Sequence, residues 1–130
     1  MSTPTTGLTI VFPCAPDLRL SGNRRQNSHW RNRWRAVNDL FEGYGSLVKS
    51  AAPPEPLTGP LRYDAVIGWP KGQRFLDFDG AIAVLKSHID LLATHGWMEN
   101  DRQITGADVT QVRDATQPGG FVRITLRSIA

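Results

Sequence analysis

The stretch RFLDFDGAIAVLKSHIDLLATHGWMEND, residues 74–101, decides the fold because acidic residues bracket an amphipathic helix in it. Four apolar residues recur at steps of three and four: Ile82, Leu85, Ile89 and Leu92. This spacing predicts a helix over residues 79–94 with one buried face. His95 and Gly96 follow as its expected C-cap.

The opposite side of this helix carries a polar stripe. Asp77 and Asp79 stand two residues apart, and an extended strand points alternate side chains to one face, so we expect the two carboxylates to converge. At about 100° per residue, Lys86 and Asp90 lie within roughly 20° of Asp79 around the axis. Because the chain turns back after the helix, Asp101 is expected to join the first two carboxylates.

Crowded carboxylates predict a divalent cation, because like charges a few ångströms apart otherwise raise one another's pKa. Mg²⁺ is the expected ion, with Mn²⁺ as a substitute. Such an ion can clamp the attacking and leaving oxygens of a phosphodiester, and Lys86 would stabilise transition-state charge. The competing interpretation makes Asp77 and Asp79 a solvated strand end, with Asp79 as a helix cap and Lys86 and Asp90 as an ordinary i, i+4 pair.

The composition predicts one folded domain spanning residues 1–130, with a flexible N-terminus at residues 1–7 and a Pro-rich connector at residues 53–60. The single cysteine, Cys14, excludes an intramolecular disulfide and is expected to be a small buried residue. No apolar run reaches the roughly 20 residues that a bilayer span needs, and residues 1–7 do not resemble a signal peptide. We therefore expect a cytoplasmic protein without membrane contact.

Positive charge is concentrated early in the chain, although the net charge is only +3. Residues 19–35 contain six Arg and no acidic residue, whereas residues 71–101 contain three basic and five acidic residues. This layout is typical of a protein that holds phosphates with one region and a metal with another. The predicted DNA contacts are Arg24, Arg25, Arg31, Arg33, Arg35, Lys71 and Arg74.

The other predicted elements are strands at residues 8–12, 61–69, 108–113 and 121–127 and a long helix at residues 28–51. Residues 75–78 are expected to be extended, and residues 117–120 to join the last two strands. The order is β-α-β-α-β-β, an α+β chain. Trp30 and Trp34 recur at helical spacing, which favours a core or dimer role over base stacking. No Walker loop or Rossmann fingerprint is present, so no nucleotide cofactor is expected.

The motif residues resemble those of a known family. The matching run is Asp77-Phe78-Asp79, six residues, Lys86, three residues, Asp90, then Gly96 and Asn100-Asp101. It resembles the D-x-D, K, D, G, D-D pattern of RusA-type Holliday junction resolvases, which are small and often phage-borne endodeoxyribonucleases. The first strand, the Pro-containing loop and the basic start of the long helix also fit. Two positions depart from the pattern: Gly80 stands where Asn is common, and Asn100 replaces a carboxylate.

The resemblance implies a small mixed sheet with two main helices, a homodimer, and a bacterial or phage-infected host cell. It implies Mg²⁺ at Asp77, Asp79 and Asp101, with Lys86 assisting catalysis and Asp90 and Asn100 supporting the metal. The activity implied is paired phosphodiester hydrolysis across a four-way DNA junction in recombination and repair, leaving 5′-phosphate and 3′-hydroxyl ends. The alternatives are a non-catalytic or degenerate nucleic-acid-binding relative, and a module whose Arg-rich segment binds an acidic protein.

Overall fold

A computed structural model describes residues 7–21, 29–113 and 116–129, with the backbone alone for residues 29 and 30. These residues form a small α+β fold with four strands and two long helices. The elements are β1 (Gly7–Phe12), α1 (His29–Ala51), β2 (Leu61–Trp69), α2 (Phe78–Thr94), β3 (Ile104–Arg113) and β4 (Phe121–Ser128), with single 3₁₀ turns at Leu18–Ser21 and Asp101–Gln103. The predicted order of elements is confirmed. Within the described part of the chain, no helix is both long and apolar enough to cross a membrane.

The four strands form one mixed sheet in the order β1-β4-β2-β3. β4 runs antiparallel to both of its neighbours, whereas β2 and β3 run parallel. Although β3 and β4 are consecutive in the chain, they do not pair, because β4 crosses to lie between β1 and β2. Parallel neighbours need a crossover connection, and α2 supplies it. The two ends of α2 are therefore tied to the ends of two adjacent strands.

The core lies between one face of the sheet and the two helices. Alternate residues of β2 point into it, and they are all buried: Leu61, Tyr63, Ala65, Ile67 and Trp69. α2 contributes Leu85, Ile89 and Leu92, as its periodicity predicts, while Ile82 is only partly buried. Burial of this apolar face fixes the rotation of α2 about its axis. Lys86 consequently faces solvent.

Several predictions about the remaining elements need correction. β3 begins at Ile104 rather than at residue 108. Residues 75–77 belong to no strand, and Phe78, expected to be extended, is already the first residue of α2. Trp34 is 63% exposed, because α1 buries Ala36, Leu40 and Val48 instead, so a core role for Trp34 is wrong. Cys14 is exposed rather than buried. The predicted connector at residues 53–60 has no helix or strand, only one bridge between Leu57 and Met98.

Candidate active site

The start of α2 is built around Asp77. Its side chain is the N-cap, and Oδ1 accepts a hydrogen bond from the backbone N–H of Gly80 at 2.7 Å. A capping side chain satisfies one of the four N–H groups that the first turn leaves without a partner. The prediction that strand alternation points Asp77 and Asp79 to one face is wrong, because Asp79 already lies in the first helical turn. Asp79 is exposed, and no hydrogen bond or ion pair joins its side chain to another described residue.

Gly80 has a steric role at this helix start. A Cβ atom at this position would lie 2.8 Å from Oδ1 of Asp77 and 3.4 Å from Cβ of Leu76. The first distance is shorter than a normal non-bonded contact, so a larger residue would displace the carboxylate that caps the helix. Gly80, which stands where the resolvase-like motif commonly has Asn, therefore leaves room for the Asp77 carboxylate to cap the helix.

Gln111 on β3 fastens the segment that leads into α2. Its Oε1 accepts hydrogen bonds from Trp69 Nε1 at 2.7 Å and from the backbone N–H of Leu76 at 2.9 Å. Its Nε2 donates to the carbonyl of Leu76 at 2.7 Å. Because both backbone groups of the residue before Asp77 are bound to the sheet, the position of the capping carboxylate is set by a strand distant in sequence.

The other end of α2 closes as a Schellman motif, which confirms the predicted cap at His95 and Gly96. Gly96 has a φ of +82°, the backbone N–H of Gly96 donates to Ala93, and that of Trp97 donates to Leu92 at 3.1 Å. The buried Trp97 then donates its Nε1–H to the carbonyl of Val48 on α1 at 2.9 Å. The chain is thereby directed back along α2.

A second glutamine fastens the acidic segment that follows. Asn100 caps the 3₁₀ turn Asp101–Gln103, and its side chain accepts from the backbone N–H of Arg102 at 2.8 Å. Oε1 of Gln103 accepts from the backbone N–H of Asn100 at 2.9 Å, while its Nε2 donates to the carbonyls of Leu57 and Gly59 at 3.0 and 2.9 Å. Asp101 is therefore held on a turn that is tied to the Pro-rich connector.

Lys86 joins this turn to α2. Its Nζ lies 3.6 Å from Oδ1 of Asp90 and 3.6 Å from Oδ2 of Asp101. The Lys86 side chain remains 61% exposed, so both ion pairs are solvated and each contributes little to stability. Their importance is geometric. Three of the predicted site residues meet on the solvent-facing side of α2, where one cation lies between two carboxylates.

Asp77 and Asp79 lie at the N-terminal end of the same helix. Lys86 follows Asp79 by seven residues, which corresponds to about 10 Å along the axis at about 1.5 Å per residue. Carboxylate and amide oxygens suit a hard ion such as Mg²⁺. However, among residues 7–21, 29–113 and 116–129 no three His, Cys, Asp or Glu side chains form a group that could hold a metal ion. The donor chemistry fits the ion, and the arrangement does not gather a complete ligand set.

The predicted DNA-contacting arginines have different surroundings. Arg24 and Arg25 lie outside the described residues. Arg33 is half-buried and donates to the carbonyl of Leu20, whereas Arg31 and Arg35 are exposed on α1. Lys71 and Arg74 are exposed in the loop before α2, as a phosphate-contacting role requires. Arg19 is no free cation.

Arg19 forms ion pairs with Asp17 at 2.6 Å and with Asp39 at 2.9 Å. Hydrogen bonding to Arg19 lowers the pKa of Asp17 and keeps its carboxylate charged, against a smaller effect of burial. Hydrogen bonds to the two carboxylates in turn raise the pKa of Arg19. Residues 19–35 therefore offer a polyanion less positive charge than their six arginines suggest.

Sequence reasoning missed the aromatic residues beside the acidic ones. Phe75 and Phe78 are both exposed, and they flank Asp77. The guanidinium carbon of Arg113, at the end of β3, lies 4.7 Å from the centroid of the Phe75 ring, and Arg113 also donates to the carbonyl of Gln73. The parallel pairing of β2 with β3 was the missing information, because it brings the end of β3 to the loop before α2.

A separate cleft of about 330 Å³ lies between α1, α2 and the segment after β1. The buried His88 forms part of its wall. Nδ1–H of His88 donates to the carbonyl of Val84 at 2.9 Å, and its ring packs edge-on against Phe12. Burial lowers the pKa of His88 to about 4, so the imidazole is neutral at pH 7. The prediction of a structural role for His88 agrees with these contacts. Burial also raises the pKa of Tyr44, on the same wall, to about 12.

Comparison with known proteins adds no identification. No protein-family model matches this chain, and no curated protein matches it.

Proposed function

We propose that this protein is a Mg²⁺-dependent, structure-selective endodeoxyribonuclease of the RusA type that resolves four-way DNA junctions as a cytoplasmic homodimer. The observation that carries the proposal is the position of Lys86, which contacts both Asp90 and Asp101 on the exposed side of the helix that Asp77 caps. These residues are the ones in the resolvase-like motif, and residues from separate segments of the chain meet there.

The motif residues divide into three roles in this proposal. Asp77, Asp79 and Asp101 would hold Mg²⁺ once Asp101 is released from Lys86 and the three carboxylates are brought together, and the bound ion would supply an activated water and charge neutralisation. Asp90 and Asn100 support the metal-binding residues, and Lys86 stabilises negative charge on the phosphate. Lys71 and Arg74, exposed just before the acidic residues, hold the strand to be cut.

A two-fold symmetric dimer would match a two-fold symmetric junction and place one such site on each of two opposing strands. Each site would then hydrolyse one phosphodiester bond, so that water adds across it and leaves a 5′-phosphate and a 3′-hydroxyl. This arrangement explains how a small domain can introduce paired nicks.

The test is Asp79→Asn. The Asp79 side chain is exposed and makes no polar contact with another described residue, so the change should cost only about 0.3–1 kcal/mol, from the lost negative charge in the first turn of α2. We expect it to abolish cleavage of a synthetic four-way junction in Mg²⁺ while junction binding stays the same or becomes tighter. Glu55→Gln, which removes one exposed carboxylate from the connector, is the charge-matched control and should cleave normally. Normal cleavage by Asp79→Asn would refute the proposed metal site.

A second function, junction binding without catalysis, is favoured by one observation. Asp101 is ion-paired with Lys86, and the described carboxylates form no group able to hold a metal. In a non-catalytic protein this pairing would be permanent. Such a protein would bind junctions with a steep salt dependence and would nick none of them at any concentration of Mg²⁺ or Mn²⁺.

A further inference from the structure

The first half of α1 presents a tryptophan to solvent. Trp34 is 63% exposed, whereas Trp69 and Trp97 are each 1% exposed. Tryptophan is usually well buried because of its large apolar area. The exposure of Trp34 therefore leaves an aromatic surface available to a partner.

The residues around Trp34 make this surface basic. At about 100° per residue, Arg31, Arg35 and Asn38 fall within roughly 100° of Trp34 around the helix axis. Arg31 and Arg35 are both exposed. Asp39, one turn beyond Arg35 at the edge of this face, is ion-paired with Arg19, and Glu42 follows a further turn along. The face centred on Trp34 therefore combines a bare ring with positive charge, and we call these four residues the Trp34 face.

This combination favours nucleic acid over a second copy of the chain. A symmetric contact between two Trp34 faces would bring the arginines of both copies together, and like charges facing each other are unfavourable. A nucleic acid offers phosphates to the arginines and base rings to the tryptophan. Bases inside a continuous duplex are already stacked on their neighbours, so an exposed ring finds a free base face only where nucleotides are unpaired.

We propose that the Trp34 face binds unpaired nucleotides, with the Trp34 ring stacked on a base and Arg35 on an adjacent phosphate. Together with the proposed nuclease activity, on which this extension rests, it makes branched DNA with single-stranded nucleotides at the branch a better substrate than a fully paired junction. The acidic site and the Trp34 face would then contact different parts of one branched molecule.

The experiment measures binding of a fluorescent oligo-dT strand and of a matched duplex at low salt in EDTA, where cleavage cannot occur. We expect Trp34→Ala to weaken oligo-dT binding by roughly five- to tenfold, the scale of losing one stacked base. Trp34→Phe should retain most of the affinity, and duplex binding should be unchanged. Leu47→Ala is the matched control, because Leu47 lies on the same helix and is 40% exposed. It should bind as the unmodified protein does.

Intrinsic fluorescence provides a second readout that does not depend on Trp34→Ala folding correctly. Oligo-dT should quench the fluorescence of the unmodified protein more than that of Trp34→Phe, since stacking quenches the exposed indole. The proposal would be overturned by equal quenching of the unmodified protein and Trp34→Phe, or by equal oligo-dT affinity of Trp34→Ala and the unmodified protein. It would also be overturned if Trp34→Ala lost self-association and kept its DNA binding. If binding depends on Trp34 but no junction is cleaved in Mg²⁺, the proposed nuclease activity is refuted, whereas the proposed binding of nucleotides by the Trp34 face still holds.

Discussion

Asp77 has two separable roles, and two substitutions distinguish them. In the structure its Oδ1 caps α2 through the N–H of Gly80 at 2.7 Å, and in the proposed function the same carboxylate holds Mg²⁺. Asn retains a side-chain oxygen at the capping position, whereas Ala does not. Loss of an N-cap costs about 1 kcal/mol, so we expect Asp77→Ala to lower the free energy of unfolding by that amount. Asp77→Asn should stay within about 0.3 kcal/mol of the unmodified protein.

The two effects are measured separately. For a chain of 130 residues, about 1 kcal/mol corresponds to a fall of roughly 4 °C in the thermal midpoint. Urea unfolding gives the free energy directly. Junction cleavage in Mg²⁺ should be lost in both variants, because an amide is a poor replacement for a charged metal ligand. The reasoning is refuted if Asp77→Asn cleaves normally, which would leave Asp77 only a capping role, or if Asp77→Ala unfolds at the unmodified midpoint.

Three further predictions concern pH, charge and positioning. Burial lowers the pKa of His88 to about 4, whereas an unfolded His titrates near 6.5. The unfolded chain therefore binds the proton first, and stability should fall by about 3 kcal/mol between pH 7 and pH 4. The urea midpoint of His88→Asn should lack this part of the pH slope, and identical slopes would contradict the assignment. Lys86→Met should lower cleavage about a hundredfold while changing stability by less than about 0.5 kcal/mol, and a stability loss without a cleavage loss would argue against a catalytic role. Gln103→Ala should cost about 0.5–1.5 kcal/mol in urea unfolding, because it removes hydrogen bonds to backbone groups that are mostly exposed and regain water, whereas Gln117→Ala, at an exposed turn, should cost almost nothing.

The acidic residues illustrate where prediction from local pattern stops. The alternation of side chains along a strand predicts that Asp77 and Asp79 share one face. The structure instead places Asp77 at the N-cap of α2 and Asp79 in its first turn. Gln111 on β3 holds both backbone groups of Leu76, and Asp77 then caps α2, so the extended backbone ends at Asp77 and does not continue to Asp79. A spacing of two residues is compatible with both arrangements, so the motif alone does not give the geometry of the site.

Local interactions determined what the sequence could show by itself: the span of β2, the buried face of α2 and its end at Gly96. The span of β2 and the buried face of α2 follow from residue periodicity, and the end of α2 follows from the backbone conformation of Gly96. Both are set by residues that are close together in the sequence. Only the tertiary structure decided that β4 lies between β1 and β2, that Trp34 is exposed, and that Lys86 reaches Asp101. Each of these results depends on which distant segments pack together, and their packing follows from burying the whole core at once.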